Sequence, residues 1–355
     1  MAALRPLEEK LEQFRLASRS CDHVFKHTLG QAQQTERQIK NEFEKLRQFL
    51  REEEEARIAA VREEEERKSQ MMKEKIEQMK GDISTLSDTI KVVKDELEAE
   101  DVSFLLAYED TMKRVWAAPQ IPGKDPGALI DVCKHLSNLK YRVWEKMLGT
   151  VQYTPVTLDP NTAARSLALS DDLTRGGHGG DEVGAGQQQF PNNPERFDPY
   201  ACVLGSQGYS SGRHSWEVEV GDSTNWTLGV AASSVRRKEE FSACPEEGLW
   251  TISLRDGGYW AMETPWSFIP VEKRLQRVRV ELDWDGGQVT FFDPAEANSA
   301  PLYTFTHTFT EQVYPYFEST CTRRSLRILP EKVSVQVDED SAGQDLTRSR
   351  RNSLE

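Results

Sequence analysis

The chain has 355 residues and a formal net charge of −14, from 45 Lys and Arg against 59 Asp and Glu. That balance excludes nucleic acid as a main partner, because phosphate binding needs a clustered basic face. Hydrophobic residues make up 37% and charged residues 29%, so part of the chain is too polar for an ordinary globule, and the length allows two or three units. No run of about 18 apolar residues exists, which argues against a membrane-spanning helix, and residues 1–30 carry no apolar export segment. Five scattered cysteines, Cys21, Cys133, Cys202, Cys244 and Cys321, then read as reduced thiols. The expected location is the cytoplasm, with the nucleus as the alternative.

Residues 1–100 are almost free of helix breakers and hold no Trp or Tyr. Ile76, Ile83, Ile90 and Leu97 fall on one heptad position and Met72, Met79, Leu86 and Val93 on the other. This pattern predicts a coiled coil. Leu4, Leu11, Phe25, Ala32, Ile39 and Leu46 continue a looser seam, with Ser18 as the exception. Between the two, Phe43, Glu54, Glu65 and Ile76 are spaced by eleven, which relaxes the left-handed supercoil. Residues 51–67, REEEEARIAAVREEEER, read as a solvated helix surface laced with salt bridges. A helix from Leu4 to Leu97 would be ~140 Å long. Its apolar stripe needs a partner, so the chain itself is the first partner expected.

DVSFLLAYEDTMKRVW (101–116) reads as a further helix, and AAPQIPGKDPG as a break. ALIDVCKHLSNLKYRVWEKML (128–148) is amphipathic and predicts one helix that returns to the rod or caps the next domain. Within it Cys133 reads as a packed thiol and His135 as a surface imidazole. Cys21, His23 and His27 are one ligand short of a zinc site. No metal or cofactor is expected.

After Gly149 short alternating runs take over. HSWEVEV (214–220), NWTLGVA (225–231), LWTISL (249–254), VRVELDW (278–284), QVTFFD (288–293) and LYTFTHTF (302–309) predict strands, with a hairpin at Asp285-Gly286-Gly287. Trp216, Trp226, Trp250, Phe291 and Phe292 are expected to pack in the core. GGHGGDEVGAGQQQ (176–189) reads as a loop or mobile flap. The fold class is therefore a long α-helical coiled coil followed by an all-β antiparallel sandwich. The expected divisions are a rod over 1–116, a linker and connector helix over 117–150, the sandwich over 151–335 and a disordered tail over 336–355.

LDPNTA (158–163) with LALSDDLT, then NPERF and VLGSQGYSSGRHSWEVEVGDSTNWTLGVA, then GLWTISL, LDWDGGQVTFFD and VYPYFE, resemble a PRY-SPRY domain. With the coiled coil before them, they make the chain resemble the C-terminal part of a tripartite-motif (TRIM) protein. The resemblance implies a domain that binds a protein ligand through loops at one end of the sandwich. On this chain those positions are Thr224, Asn225, Ser253, Arg255, Tyr259, Trp260, Thr320 and Arg323. Relatives often carry aromatics where Ser253 and Arg255 stand, and an arginine fork there would suit a carboxylate. The family's RING and B-box, zinc modules of closely spaced Cys and His, are not matched in this chain, so ligase chemistry is expected of full-length relatives and not of this chain alone.

No phosphate-cradling G-x-x-x-x-G-K and no H-E-x-x-H occurs, and an enzyme is not expected. Arg350-Arg351-Asn352-Ser353 reads as a kinase site or simply as a solvated tail. The expectation is a dimeric recognition scaffold that binds itself, an unidentified protein ligand and full-length TRIM relatives, in ubiquitin-linked innate immune regulation. The alternative is a cytoskeletal or structural rod with the coiled coil as its main interface.

Overall fold

The structure is a computed structural model that describes residues 4–98, 100–121, 123, 126–178, 190–295, 300–322, 324–331 and 333. The chain forms two compact units, one of residues 41–149 and one of residues 1–40 with 150–355. The helices are α1 (Arg5–Leu97), α2 (Asp101–Trp116), α3 (Val132–Leu136) and α4 (Leu139–Leu148).

In the unit of residues 41–149, the chain after α1 runs back along it antiparallel. Arg114 Nη1 lies 3.5 Å from Glu96 Oε1. Lys75 Nζ donates to the Gly123 carbonyl at 2.8 Å. The Asp131 amide donates to Glu64 Oε1 at 2.9 Å and His135 Nε2 lies 2.6 Å from Glu64 Oε2. Lys146 pairs with Glu53. The return half-buries Met72, Met79, Leu86 and Val93, one row of the predicted seam. The other row stays bare: Ile76 is 47%, Ile83 62%, Ile90 53% and Leu97 64% exposed.

Three expectations are corrected here. The acidic blocks are not wholly solvated, because Glu53 and Glu64 are buried. They stand eleven residues apart, three helical turns, so both face the returning chain. Cys133 is exposed and His135 is the half-buried partner, its side chain only 11% exposed. The predicted single helix over 128–148 is two, because Asn138 takes a left-handed conformation with φ 53° between α3 and α4.

Glu64 binds three donors: Lys68 Nζ at 2.6 Å, the Asp131 amide and the His135 ring. These hydrogen bonds, Lys68 first, pull its carboxyl from 4.5 to about 2. A carboxylate with a depressed folded-state value stabilises above its unfolded value. That stabilisation is lost as pH falls from about 4.5 towards 2. Glu64→Gln should therefore loosen residues 128–148 at neutral pH, and should make their docking less sensitive to acid. Hydrogen exchange of α3 and α4 measures this; equal protection in both proteins at pH 7 would refute it.

The other unit is built on a two-sheet sandwich. Its strands are β1 (Leu167–Leu169), β2 (Arg175–His178), β3 (Cys202–Leu204), β4 (Arg213–Glu219), β5 (Trp226–Ala232), β6 (Leu249–Arg255), β7 (Gly258–Ala261), β8 (Ser267–Ile269), β9 (Arg277–Asp283), β10 (Gln288–Phe292), β11 (Tyr303–Thr306), β12 (Val313–Ser319) and β13 (Leu326–Ile328). One sheet has the order β1-β2-β13-β4-β9-β10-β11 and the other β3-β12-β5-β6-β7-β8. All pairings are antiparallel. The predicted hairpin joins β9 to β10, with Gly287 at φ 65°, where a Cβ would lie 2.2 Å from the His307 carbonyl oxygen. Gly176, Gly177 and His178, expected in a loop, belong to β2, while 179–189 fall outside the described residues. Before Lys40, α1 meets this unit where Gln31 Nε2 donates to Asn161 Oδ1 at 3.0 Å and Gln38 Nε2 to Asp171 Oδ1 at 2.8 Å.

The inward side chains of both sheets form one core. Trp216, Trp226, Trp250 and Phe291 are all buried there. Phe292 is the exception: it points outward, half-buried, with the Arg279 guanidinium 5.2 Å from its ring centre. β5 and β6 approach so closely that a Cβ on Gly229 would lie 2.1 Å from the Trp250 carbonyl oxygen. Backbone cannot yield there as a flexible side chain can. Gly229→Ala should cost about 1–3 kcal/mol of stability. A thermal midpoint equal to that of the wild type would contradict this.

Candidate ligand-binding site

Strand register gathers the predicted positions at one end of the six-stranded sheet. Ser319 pairs with Trp226 and Trp226 with Leu254. One residue further, Thr320, Asn225 and Arg255 therefore come side by side. The loops beyond them leave an open cleft of about 370 Å³ lined by Asp222, Thr224, Thr320, Cys321, Thr322 and Arg324. Thr224 and Thr320 are exposed in it. The Thr224 hydroxyl lies 3.9 Å from Cys321 Sγ. Arg323 lies outside the described residues.

Beside this cleft runs a cross-strand row on the outer face: Cys202, Glu318, Thr227, Ser253, Trp260 and Phe268, each paired with the next. The row grades from buried and polar to exposed and aromatic. At its inner end Tyr316 Oη donates to Glu318 Oε2 at 3.4 Å and meets Cys202 Sγ at 2.8 Å. Burial holds both the Tyr316 phenol and the Cys202 thiol well above their ordinary values, so both stay protonated. In mid-row the Ser253 hydroxyl donates to the Trp226 carbonyl at 2.9 Å.

Arg255 closes over this row. Its Nε donates to Ser253 Oγ at 3.1 Å and its Nη2 to Glu318 Oε1 at 3.4 Å. The guanidinium carbon stands 5.6 Å from the Trp266 ring centre, within cation–π range. No partner of Nη1 is present among the described residues. The Arg255 side chain is 30% exposed and that of Glu318 only 10%.

At the outer end three rings form a ledge. Trp260 lies 6.4 Å from Trp266 and 5.4 Å from Phe268 between ring centres. Trp266 is 49% and Phe268 61% exposed. Among the described residues from 154 to 331 these two are the exposed large apolar side chains. Aromatic area left in water and grouped in one place is a candidate contact surface.

Two expected positions do not face this surface. Ser253 is fully buried, and it holds Arg255 in place instead of meeting a ligand. Tyr259 alternates inward, packs 6.1 Å from Trp226, and accepts the Leu275 amide on its hydroxyl at 3.0 Å. Strand alternation already separated Tyr259 from Trp260. Three contributors were not anticipated. Trp266 and Phe268 had a signal, the alternating WSF between Pro265 and Pro270. Glu318 had none, since its meeting with Arg255 spans 63 residues.

The SPRY-associated (PRY) domain model matches residues 156–209 and the SPRY domain model residues 213–330. Human E3 ubiquitin-protein ligase TRIM35 is 36% identical over 351 residues, covering 94% of this chain and 69% of that protein. Nuclear factor 7, ovary, of Xenopus laevis is 34% identical over 324 residues, covering 89% and 52%. The crystal structure of the TRIM65 PSpry domain is similar at 21% identity and a TM-score of 0.43, covering 60% of this chain and all of that one. The order of helix and sandwich, the two domain matches and an alignment with TRIM35 that runs over nearly the whole chain lead to one conclusion: this chain belongs to the tripartite-motif family, and its sandwich is a PRY-SPRY domain.

Proposed function

We propose that this chain is a dimeric recognition scaffold, in which paired helices present SPRY domains that each grip a protein ligand. The observation that carries the ligand part is the ledge of Trp260, Trp266 and Phe268 beside the Arg255 fork. It joins apolar area at low entropy cost to a directed donor, the combination found at binding hot spots. Thr224, Asn225 and Thr320 border the same end of the sheet and supply a polar rim. The bare row of Ile76, Ile83, Ile90 and Leu97 supports self-association, since such a stripe is covered in a folded assembly. Human TRIM35 is named a ubiquitin ligase. That name supports a place for this chain in ubiquitin-linked regulation, by pairing with full-length relatives and by presenting the captured ligand. A role in innate immunity rests on the family resemblance. Among the described residues no helix is long and apolar enough to cross a membrane, and we place the protein in the cytoplasm.

Two measurements test this reading. Light scattering at micromolar concentration should give twice the chain mass; a monomer would refute the scaffold. Ligands captured with the full chain should bind Phe268→Ala and Arg255→Ala more weakly by about 1–3 kcal/mol each in calorimetry, as hot-spot truncations do. Phe268→Ala should melt near the wild type, because that side chain is exposed; Arg255→Ala should melt lower, because it leaves the buried Glu318 carboxylate without its cation. Unchanged affinity in both would move recognition to another surface.

A further inference from the structure

The ledge raises the question of what chemistry Arg255 offers a ligand. Taken alone, an exposed arginine next to aromatics suits a carboxylate. Here the fork already has one. Glu318 Oε1 is 3.4 Å from Nη2, and its other oxygen accepts from Tyr316. The Glu318 side chain is 10% exposed, so little water screens it. A ligand carboxylate bound to the same guanidinium would come within a few ångströms of Glu318, and like charges at that range repel strongly where water is scarce. The donors still open on Arg255 are the two of Nη1 and the second of Nη2. They can serve an uncharged acceptor without upsetting the charge balance of the pair.

Resting on the ledge as the recognition site, we infer that the ligand is a neutral apolar segment. It lays an aromatic or branched aliphatic side chain on Trp260, Trp266 and Phe268 and presents a carbonyl oxygen, from backbone or amide, to Arg255. Glu318 is a specificity-determining residue: it disfavours acidic ligands by occupying the fork before they arrive.

The test uses the full chain labelled with 5-fluorotryptophan, with the Trp260 and Trp266 fluorine resonances assigned by single Trp→Phe substitutions. The probes are N-acetylphenylalanine amide, which is neutral, and N-acetylphenylalanine, which carries a carboxylate, each titrated to tens of millimolar. Both Trp resonances should move with the amide, and the acid should bind at least about threefold more weakly, the scale of one screened like-charge contact. Glu318→Gln keeps the shape and removes the charge, and should reverse the order so that the acid binds more tightly. Amide binding in the wild type should hold constant between about 50 and 500 mM salt, since no net charge is engaged; this arm stands even if Glu318→Gln folds poorly. Acid preferred over amide in the wild type, or an order unchanged by Glu318→Gln in a folded protein, would overturn the inference while leaving the ledge as the site. No movement of either resonance with either probe would remove the ledge itself, and the proposed function with it.

Discussion

A β-sheet has two faces, and the core of a sandwich covers only one. Everything distinctive about this chain's PRY-SPRY domain follows from how it finishes the second face of its six-stranded sheet. The inner face takes Leu228, Ile252, Leu254 and Phe317 and is closed. The outer face is sealed at one end, where Phe197 packs edge-on against Tyr316 at 6.2 Å and Phe241 joins the cluster. At the other end Trp266 and Phe268 stay exposed. Arg255 marks the boundary. Its guanidinium ties the buried Glu318 to the exposed Trp266, and the Ser253 hydroxyl fixes its angle. A charged group held this way on three sides is already ordered before a ligand arrives, which lowers the entropy cost of binding.

The helical unit solves the same problem differently. α1 carries two apolar rows and the returning chain covers one. It is held there at both ends by acids, Glu96 near the turn and Glu53 and Glu64 further along. Burying a carboxylate is costly unless it is paired and hydrogen-bonded. Glu64 meets that condition with Lys68, the Asp131 amide and His135. The clasp fixes the register of the return, because sliding α3 by one residue would strand a buried carboxylate. The row of Ile76, Ile83, Ile90 and Leu97 is left uncovered.

What was legible in the sequence followed periodicity. The heptads gave the long helix, and the alternating runs gave β4, β5, β6, β9 and β10 within a residue or two at each end, while the run at β11 extended three residues past its end. Several missed elements lacked a local pattern. β1, β3 and β13 are three residues each, too short for alternation to register. Asn138 broke a helix because a left-handed residue leaves no trace in apolar spacing. The candidate binding end was placed from the resemblance, and strand alternation sets Tyr259 inward and Trp260 outward. Composition alone misread the acidic blocks, since charge says where a residue prefers to be and not which of eight glutamates the returning chain will reach.

The size of the ledge sets a limit that connects the two units functionally. Three aromatic side chains offer about 150–250 Å² each when fully covered, and here Trp260 is already half-buried. A few hundred square ångströms fall well below the roughly 800 Å² per partner of a standard stable interface. A single domain using this ledge and a neutral hydrogen bond should therefore hold its ligand weakly, and it lacks the charge that would raise the rate of encounter. Weak sites become effective when two are joined, because the second contact is then made at a local concentration in the millimolar range for short linkers. In the proposed scaffold, a neutral, modest recognition surface and a helix with one bare apolar row thus fit each other physically: a second copy would strengthen the hold on a ligand and would also cover the bare row.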